Sequence, residues 1–356
     1  MNPVQQINRV FLMACAPFLG ALIYMLAIHM SVQLPAIKLQ PAPAFSLKND
    51  AENVNKKLDT AYTNATQIKT TIEKFFQLYE KSTADTAAMA KTAASAASRP
   101  NAIYDSRITA KLGKPSKQTS TSNIDLKLFY LNEANYKGYA LKVDMKSDKA
   151  MKMVLGKDKL GSSETTLEAV RRTGAVAGVN AGGFADDNKT GKRYPLSTTM
   201  VGGKYVYGFE PTFDNLTFIG LSKDRKLIGG KFSRQADLDK LGPDFGATFV
   251  PTLLQNGKRT AIPSPWATSP ARAPRTVVGN YRNDQLLFIV TDGYDERGNS
   301  GATLAELQDK LIQLGVVDAY NLDGGGSSSM IYDGQVINRP SDGKLRPLAT
   351  NFVFFK

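Results

Sequence analysis

A chain of 356 residues, 42% hydrophobic and carrying a formal charge of +13, can hold one large domain or two ordinary ones. About half of that charge precedes residue 121, and no Arg-rich run interleaves with aromatics as a basic groove needs, so no nucleic-acid partner is expected and a polyanionic neighbour such as a cell wall or anionic lipid fits the diffuse charge at least as well. The single cysteine, Cys15, and the single histidine, His29, lie near the start, so nothing after them can form a disulfide, a Ser–His–Asp triad or a His-ligated zinc site. An acid–base catalyst there must be Asp, Glu, Lys or Tyr, and a divalent cation would be a hard one, Ca or Mg, held by oxygens.

Val10 to Val32 is an apolar run of 23 residues without Asp, Glu, Lys or Arg, long enough to cross a ~30 Å hydrocarbon core. Arg9 before it orients the N-terminus toward the cytoplasm and the remainder outside. The competing reading is a cleaved leader ending at Ala42-Pro43-Ala44, but the apolar run exceeds an ordinary leader core. Residues 1–35 are therefore expected to be an uncleaved membrane anchor, with the C-terminal domain extracytoplasmic.

From residue 46 to 99, small or apolar side chains recur at alternating spacings of 4 and 3, through Val54, Leu58, Ile68, Ile72, Phe75 and Tyr79 to Ala96. That is a heptad seam, which predicts a coiled-coil-like helical stalk that packs on a copy of itself or on another helix. Residues 100–122, with Pro100, Gly113, Pro115 and a Lys/Ser/Thr run, read as a linker.

Glycine is scarce up to this point and common beyond it. Residues 123–356 show short apolar runs between glycine turns, and the predicted strands include Leu126–Tyr130, Tyr139–Met145, Ala175–Asn180, Leu216–Ile219, Leu286–Thr291, Ala319–Leu322, Ser328–Tyr332 and Phe352–Phe355. Two helices are predicted. One runs from Thr166 to Arg172 before Gly174; the other starts at the Thr303-x-x-Glu306 capping box, carries Leu304, Leu307, Leu311 and Leu314 on one stripe, and ends at Gly315. The expectation is a sheet-rich α+β domain with a few helices.

Polar residues gather where strands run into glycine-rich turns, at Asn180 to Phe184, Pro274 to Gly279, Asp292-Gly293, and Asn321 to Met330. Gly324, Gly325 and Gly326 could aim backbone N–H groups at an anion, with Asp323 entering the same turn from a strand. Asp323 is either a turn carboxylate or a site carboxylate, and Asp292 is a second one, structural or catalytic. The Asn180 amide either stabilises a turn or binds a ligand. Asp186, Asp187, Asn188 and Gly191 lack the later ligands of a calcium loop and read as a hairpin tip; Trp266, among prolines, reads as a loop pin.

The segments Asn180-Ala181-Gly182, Arg275-Thr276-x-x-Gly279, Asp292-Gly293, Gly301-x-Thr303-Leu304-x-Glu306-Leu307 and Asn321-Leu322-Asp323-Gly324-Gly325-Gly326-Ser327-Ser328, in this order, resemble the phosphodiester glycosidase family over nearly all of residues 123–356. Gly183 departs from it, because the family usually has an aromatic residue there. The resemblance implies hydrolysis or transfer at a glycosyl-1-phosphodiester bond, on a cell-surface glycopolymer or exopolysaccharide. It implies catalysis by Asp323 or Asp292, Arg275 as the phosphate ligand, and Asn180, Asn321, Gly324, Gly325, Gly326 and Ser327 around the substrate. The alternative is a non-catalytic polysaccharide-binding module displayed on the helical stalk.

Overall fold

The computed structural model describes residues 15–24, 26–27, 47–212, 216–293 and 300–356. Much of the expected anchor lies outside them; residues 15–24 and 26–27 are helical. Among the described residues no helix is long and apolar enough to cross a membrane.

The heptad region lies on a single helix, Leu47–Leu112. Its threonines do not compete with the backbone, since Thr60, Thr63, Thr66, Thr70 and Thr71 each donate the hydroxyl to the carbonyl four residues earlier. The region read as a linker is instead the end of this helix followed by a strand, Lys117–Ser120. Tyr104, Ile108 and Leu112 repeat every four residues and pack into the core of the domain, with Ile108 and Leu112 fully buried. That packing holds the helix past Pro100, which sits inside it, and tertiary burial of an apolar face is what usually stabilises a helix. Gly113, at φ +90° and donating to the Thr109 carbonyl, ends it. By internal contacts the chain divides into Met1–Ala90 and Lys91–Lys356.

The second unit is sheet-rich, and its paired strands are antiparallel. An eight-stranded sheet runs in the order 117–120, 124–132, 137–145, 286–291, 276–280, 318–322, 252–255, 258–259. Two five-stranded sheets accompany it. One runs 227–230, 217–222, 243–249, 199–201, 204–207, and the other 335–336, 330–332, 177–180, 350–354, 151–155. All eight predicted strands are present within a few residues of their expected ends.

Strand Leu286–Thr291 is buried along its whole length, and alternation sorts its side chains. Phe288 and Val290 enter a core shared with Phe245, Ile219, Val179 and Phe352 of the smaller sheets. Leu287 and Ile289 face the opposite core, where helix Leu304–Leu314 lays down Leu304, Leu307, Leu311 and Leu314. Both predicted helices form with capping boxes, Thr165/Glu168 and Thr303/Glu306, and end on left-handed Gly174 and Gly315.

Candidate active site

Three neighbouring strands of the large sheet bring the sequence motifs together. Strand Thr276–Asn280 pairs with Leu286–Thr291 on one side and Asp318–Leu322 on the other, with Thr276 opposite Val290 and Leu322. Antiparallel register therefore sets Arg275 beside Thr291 on one side and Asp323 on the other, with Asp292 one residue further along. Backbone bonds continue the pairing: Thr291 N–H donates to the Arg275 carbonyl at 2.9 Å, and Arg275 N–H donates to Thr291 Oγ1 at 2.8 Å.

Arg275 is 5% exposed. Its guanidinium donates to the carbonyls of Pro270, at 2.7 Å, and Ala302, at 3.5 Å. Among the described residues no carboxylate forms an ion pair with it. Burial alone pulls its pKa down to about 10, as desolvation does to any cation lacking a nearby opposite charge. Gly301 makes this crowding feasible, since a Cβ there would stand 2.1 Å from the Ala273 carbonyl oxygen, and its φ is +92°.

The triglycine turn differs from expectation. Its N–H groups were expected to face a ligand, yet Gly324 donates to the Asp323 carboxylate at 3.0 Å, Gly325 to the Pro274 carbonyl at 2.8 Å, and Ser327 to the Gly324 carbonyl at 3.1 Å. Gly325 to Ser327 form one 3₁₀ turn. These donors are spent on closing the turn and tying it to the strand that carries Arg275, so Gly324, Gly325 and Ser327 shape the site through the backbone. The hydroxyls of Ser327 and Ser328 and the Asn321 Oδ1 are buried without a partner among the described residues.

Asn180 resolves toward bracing. Fully buried, it donates from Nδ2 to the Asp323 carbonyl at 2.6 Å and accepts at Oδ1 from Thr276 Oγ1 at 2.8 Å and Ser329 N–H at 3.0 Å. One fully buried amide thus ties the Asp323 turn, the Arg275 strand and the segment after the glycines together. Asn321 is likewise interior, donating from Nδ2 to the Val250 carbonyl at 2.6 Å.

Asp292 lines a cavity of about 500 Å³ together with Lys137, Arg339, Glu133, Tyr136 and Ser300. Burial raises its pKa, partly opposed by the Arg339 N–H donating to Oδ1 at 2.7 Å and by the Arg339 charge. A second cavity of about 330 Å³, floored by Tyr320 and Gly229, has no carboxylate in its wall.

Sequence reasoning missed Lys137 and Arg339, whose neighbourhood to Asp292 depends on strand order, and also Phe249. A side chain at Gly183 would meet the Phe249 ring at 2.7 Å, so this ring fills the space beside the position where the family usually has an aromatic. Phe249 meets Trp266 with ring centroids 6.2 Å apart and planes tilted by 59°, and Trp266 sits on a short helix, Ser264–Thr268, packed against the core. Asp187 caps the turn of the expected hairpin, 184–187 with 192–195. Among the described residues no three of His, Cys, Asp and Glu gather to hold a metal.

The phosphodiester glycosidase family model matches residues 173–355. The chain is 30% identical over 192 residues to N-acetylglucosamine-1-phosphodiester alpha-N-acetylglucosaminidase of Bos taurus, covering 50% of this chain and 35% of that protein. It is 43% identical over 139 residues to the Mus musculus protein of the same name, covering 35% and 26%. A prophage-derived uncharacterized protein, YomE, of Bacillus subtilis is 28% identical over 189 residues, covering 51% and 28%. The chain thus spans about a third of the length of the curated relatives it matches. Among solved structures, the zebrafish N-acetylglucosamine-1-phosphodiester alpha-N-acetylglucosaminidase catalytic domain, auto-inhibited by its pro-peptide, superposes with a TM-score of 0.53 at 20% identity, covering 68% of this chain and 87% of that one. At that identity the likeness is one of fold.

Proposed function

The chain belongs to the phosphodiester glycosidase family, and we propose that it hydrolyses a glycosyl-1-phosphodiester bond in an extracytoplasmic glycopolymer. The observation that carries this reading is the buried Arg275, a cation without a carboxylate partner among the described residues, set between the strand ends that bear Asp323 and Asp292. A phosphodiester supplies the missing negative charge, and a planar guanidinium recognises it in a fork geometry. The names of the bovine and mouse relatives point to the same bond class.

In the proposed reaction the anomeric C1–O bond breaks and its electron pair stays on the bridging oxygen of the departing phosphomonoester. Asp292, held protonated toward higher pH by burial, gives its proton to that oxygen. Water bonds to C1 and loses a proton to the Asp323 carboxylate, releasing free sugar. Arg275 offsets the charge that grows on the phosphate. The uncharged run at 10–32 supports export and attachment to a membrane, and the net positive charge suits an anionic polymer.

The test is incubation of the purified full chain with the methyl phosphodiester of N-acetylglucosamine-1-phosphate, and with a wall glycopolymer carrying such links. Free reducing sugar and phosphomonoester in equal amounts are expected. Binding of the polymer without release of sugar from either substrate would replace the hydrolase with the polysaccharide-binding module.

A further inference from the structure

Before residue 90, helix Leu47–Leu112 leaves a row of large apolar side chains exposed among the described residues. Leu58 is 67% exposed, Ile68 60%, Phe75 66% and Tyr79 73%. They repeat with the 3.5-residue period that keeps a seam facing another helix.

We infer that this face is the core of a parallel, in-register homo-oligomer of more than two chains. Two features point to further copies of this chain, and a third sets their number. In heptad terms, Leu58, Ile72 and Tyr79 take one core position, and Val54, Ile68 and Phe75 the other. In register, each layer therefore meets its own kind, bulky on bulky at Ile68 to Tyr79 and small on small at Ala61 and Ala65.

The flanking positions are also compatible. In a parallel assembly they pair Asp50 with Asn55, Lys57 with Tyr62, Asn64 with Lys69, Thr71 with Phe76 and Leu78 with Thr83, and no like charges meet. The number of chains follows from side-chain shape. Isoleucine at both core positions, Ile68 and Ile72, favours three or four strands over two. Phe76 and Leu78, exposed at 66% and 62%, widen the apolar face beyond the narrow stripe that a dimer covers.

The consequence for a polymeric substrate is multivalency: several domains carried on one bundle meet successive repeats of the same chain at high effective concentration. The association itself does not depend on the proposed hydrolysis.

The experiment is the mass of the full chain in detergent, by size exclusion with light scattering corrected for bound detergent, beside the double variant Ile68→Lys/Ile72→Lys. Both positions are exposed, so the variant should keep its helical circular dichroism and the melting of its domain. A protein mass of three or four chains for the wild type, and of one chain for the variant at the same micromolar concentration, is expected. A wild-type monomer or dimer overturns the proposal. So does a variant that stays associated, because the apolar N-terminal segment common to both proteins would then be what holds the chains together.

Discussion

Lys127 and Lys142 stand directly opposite each other on neighbouring strands, an arrangement of like charges that destabilises a sheet unless something intervenes. Asp105, from the end of the long helix, intervenes. It pairs with Lys127 at 2.8 Å and with Lys142, whose side chain is only 2% exposed. Substituting Asp105→Asn leaves Lys142 buried without its paired carboxylate, with only the Asp144 charge still acting in its favour. Breaking a buried pair this way costs about 3–5 kcal/mol. The Asp105 side chain is 23% exposed and Lys127 28%, so water screens part of the loss, and about 2–3 kcal/mol is expected. For a domain of this size that is a fall of roughly 4–12 °C in Tm.

The pH dependence gives a second check. Burial pushes the Asp105 carboxyl up, but the hydrogen bonds and charges of Lys127 and Lys142 outweigh it, so its pKa is lowered. Its contribution is therefore complete above the unfolded value near ~3.9 and is lost as pH falls through the lower folded value. Thermal melts of wild type and Asp105→Asn from pH 7 down to about 3 should converge at the acid end. The double variant Asp105→Leu/Lys142→Met should recover most of the loss at pH 7, because it removes the buried charge together with its partner. A single variant melting within about 2 °C of wild type at pH 7, or a difference that does not shrink with acid, would refute the reasoning.

The remaining predictions concern the site. Asp323→Asn should lower kcat on a glycosyl phosphodiester by about 10²-fold or more, with the melting temperature unchanged; full activity by steady-state kinetics would remove it from the reaction. Arg275→Lys keeps a charge but loses the fork, so KM should rise at least as much as kcat falls; a variant that changes kcat alone would argue against phosphate binding. Burial raises the Asp292 pKa against the opposing Arg339 N–H and charge. The stability this costs accrues as pH rises from the unfolded value near ~3.9 to the raised folded value and stays lost above it, so Asp292→Asn should melt at a higher temperature than wild type at pH 7 while losing activity and the alkaline limb of its pH–rate profile. Unchanged stability and an unchanged profile would exclude a buried proton donor.

What the sequence by itself determined is what local chemistry settles. The Thr303-x-x-Glu306 box and Gly315 bound a helix because the groups that satisfy its ends lie within one turn. Apolar runs between glycine turns marked eight strands, and the ordered motifs marked the family. Tertiary structure decided what depends on partners distant in the chain. Composition read Arg99 to Ser122 as a linker, yet Ile108 and Leu112 continue the helix because the sheet offers them a core to fill. Three glycines looked free to bind an anion until Pro274 and Asp323 took up the N–H groups of Gly325 and Gly324. Asn180 was open to two readings until folding buried it and set Thr276, Ser329 and Asp323 around its amide. The adjacency of Arg275 to Asp292 and Asp323 likewise comes from strand order, which no spacing along the chain encodes, because residues far apart in sequence become neighbours only when the strands that carry them pair.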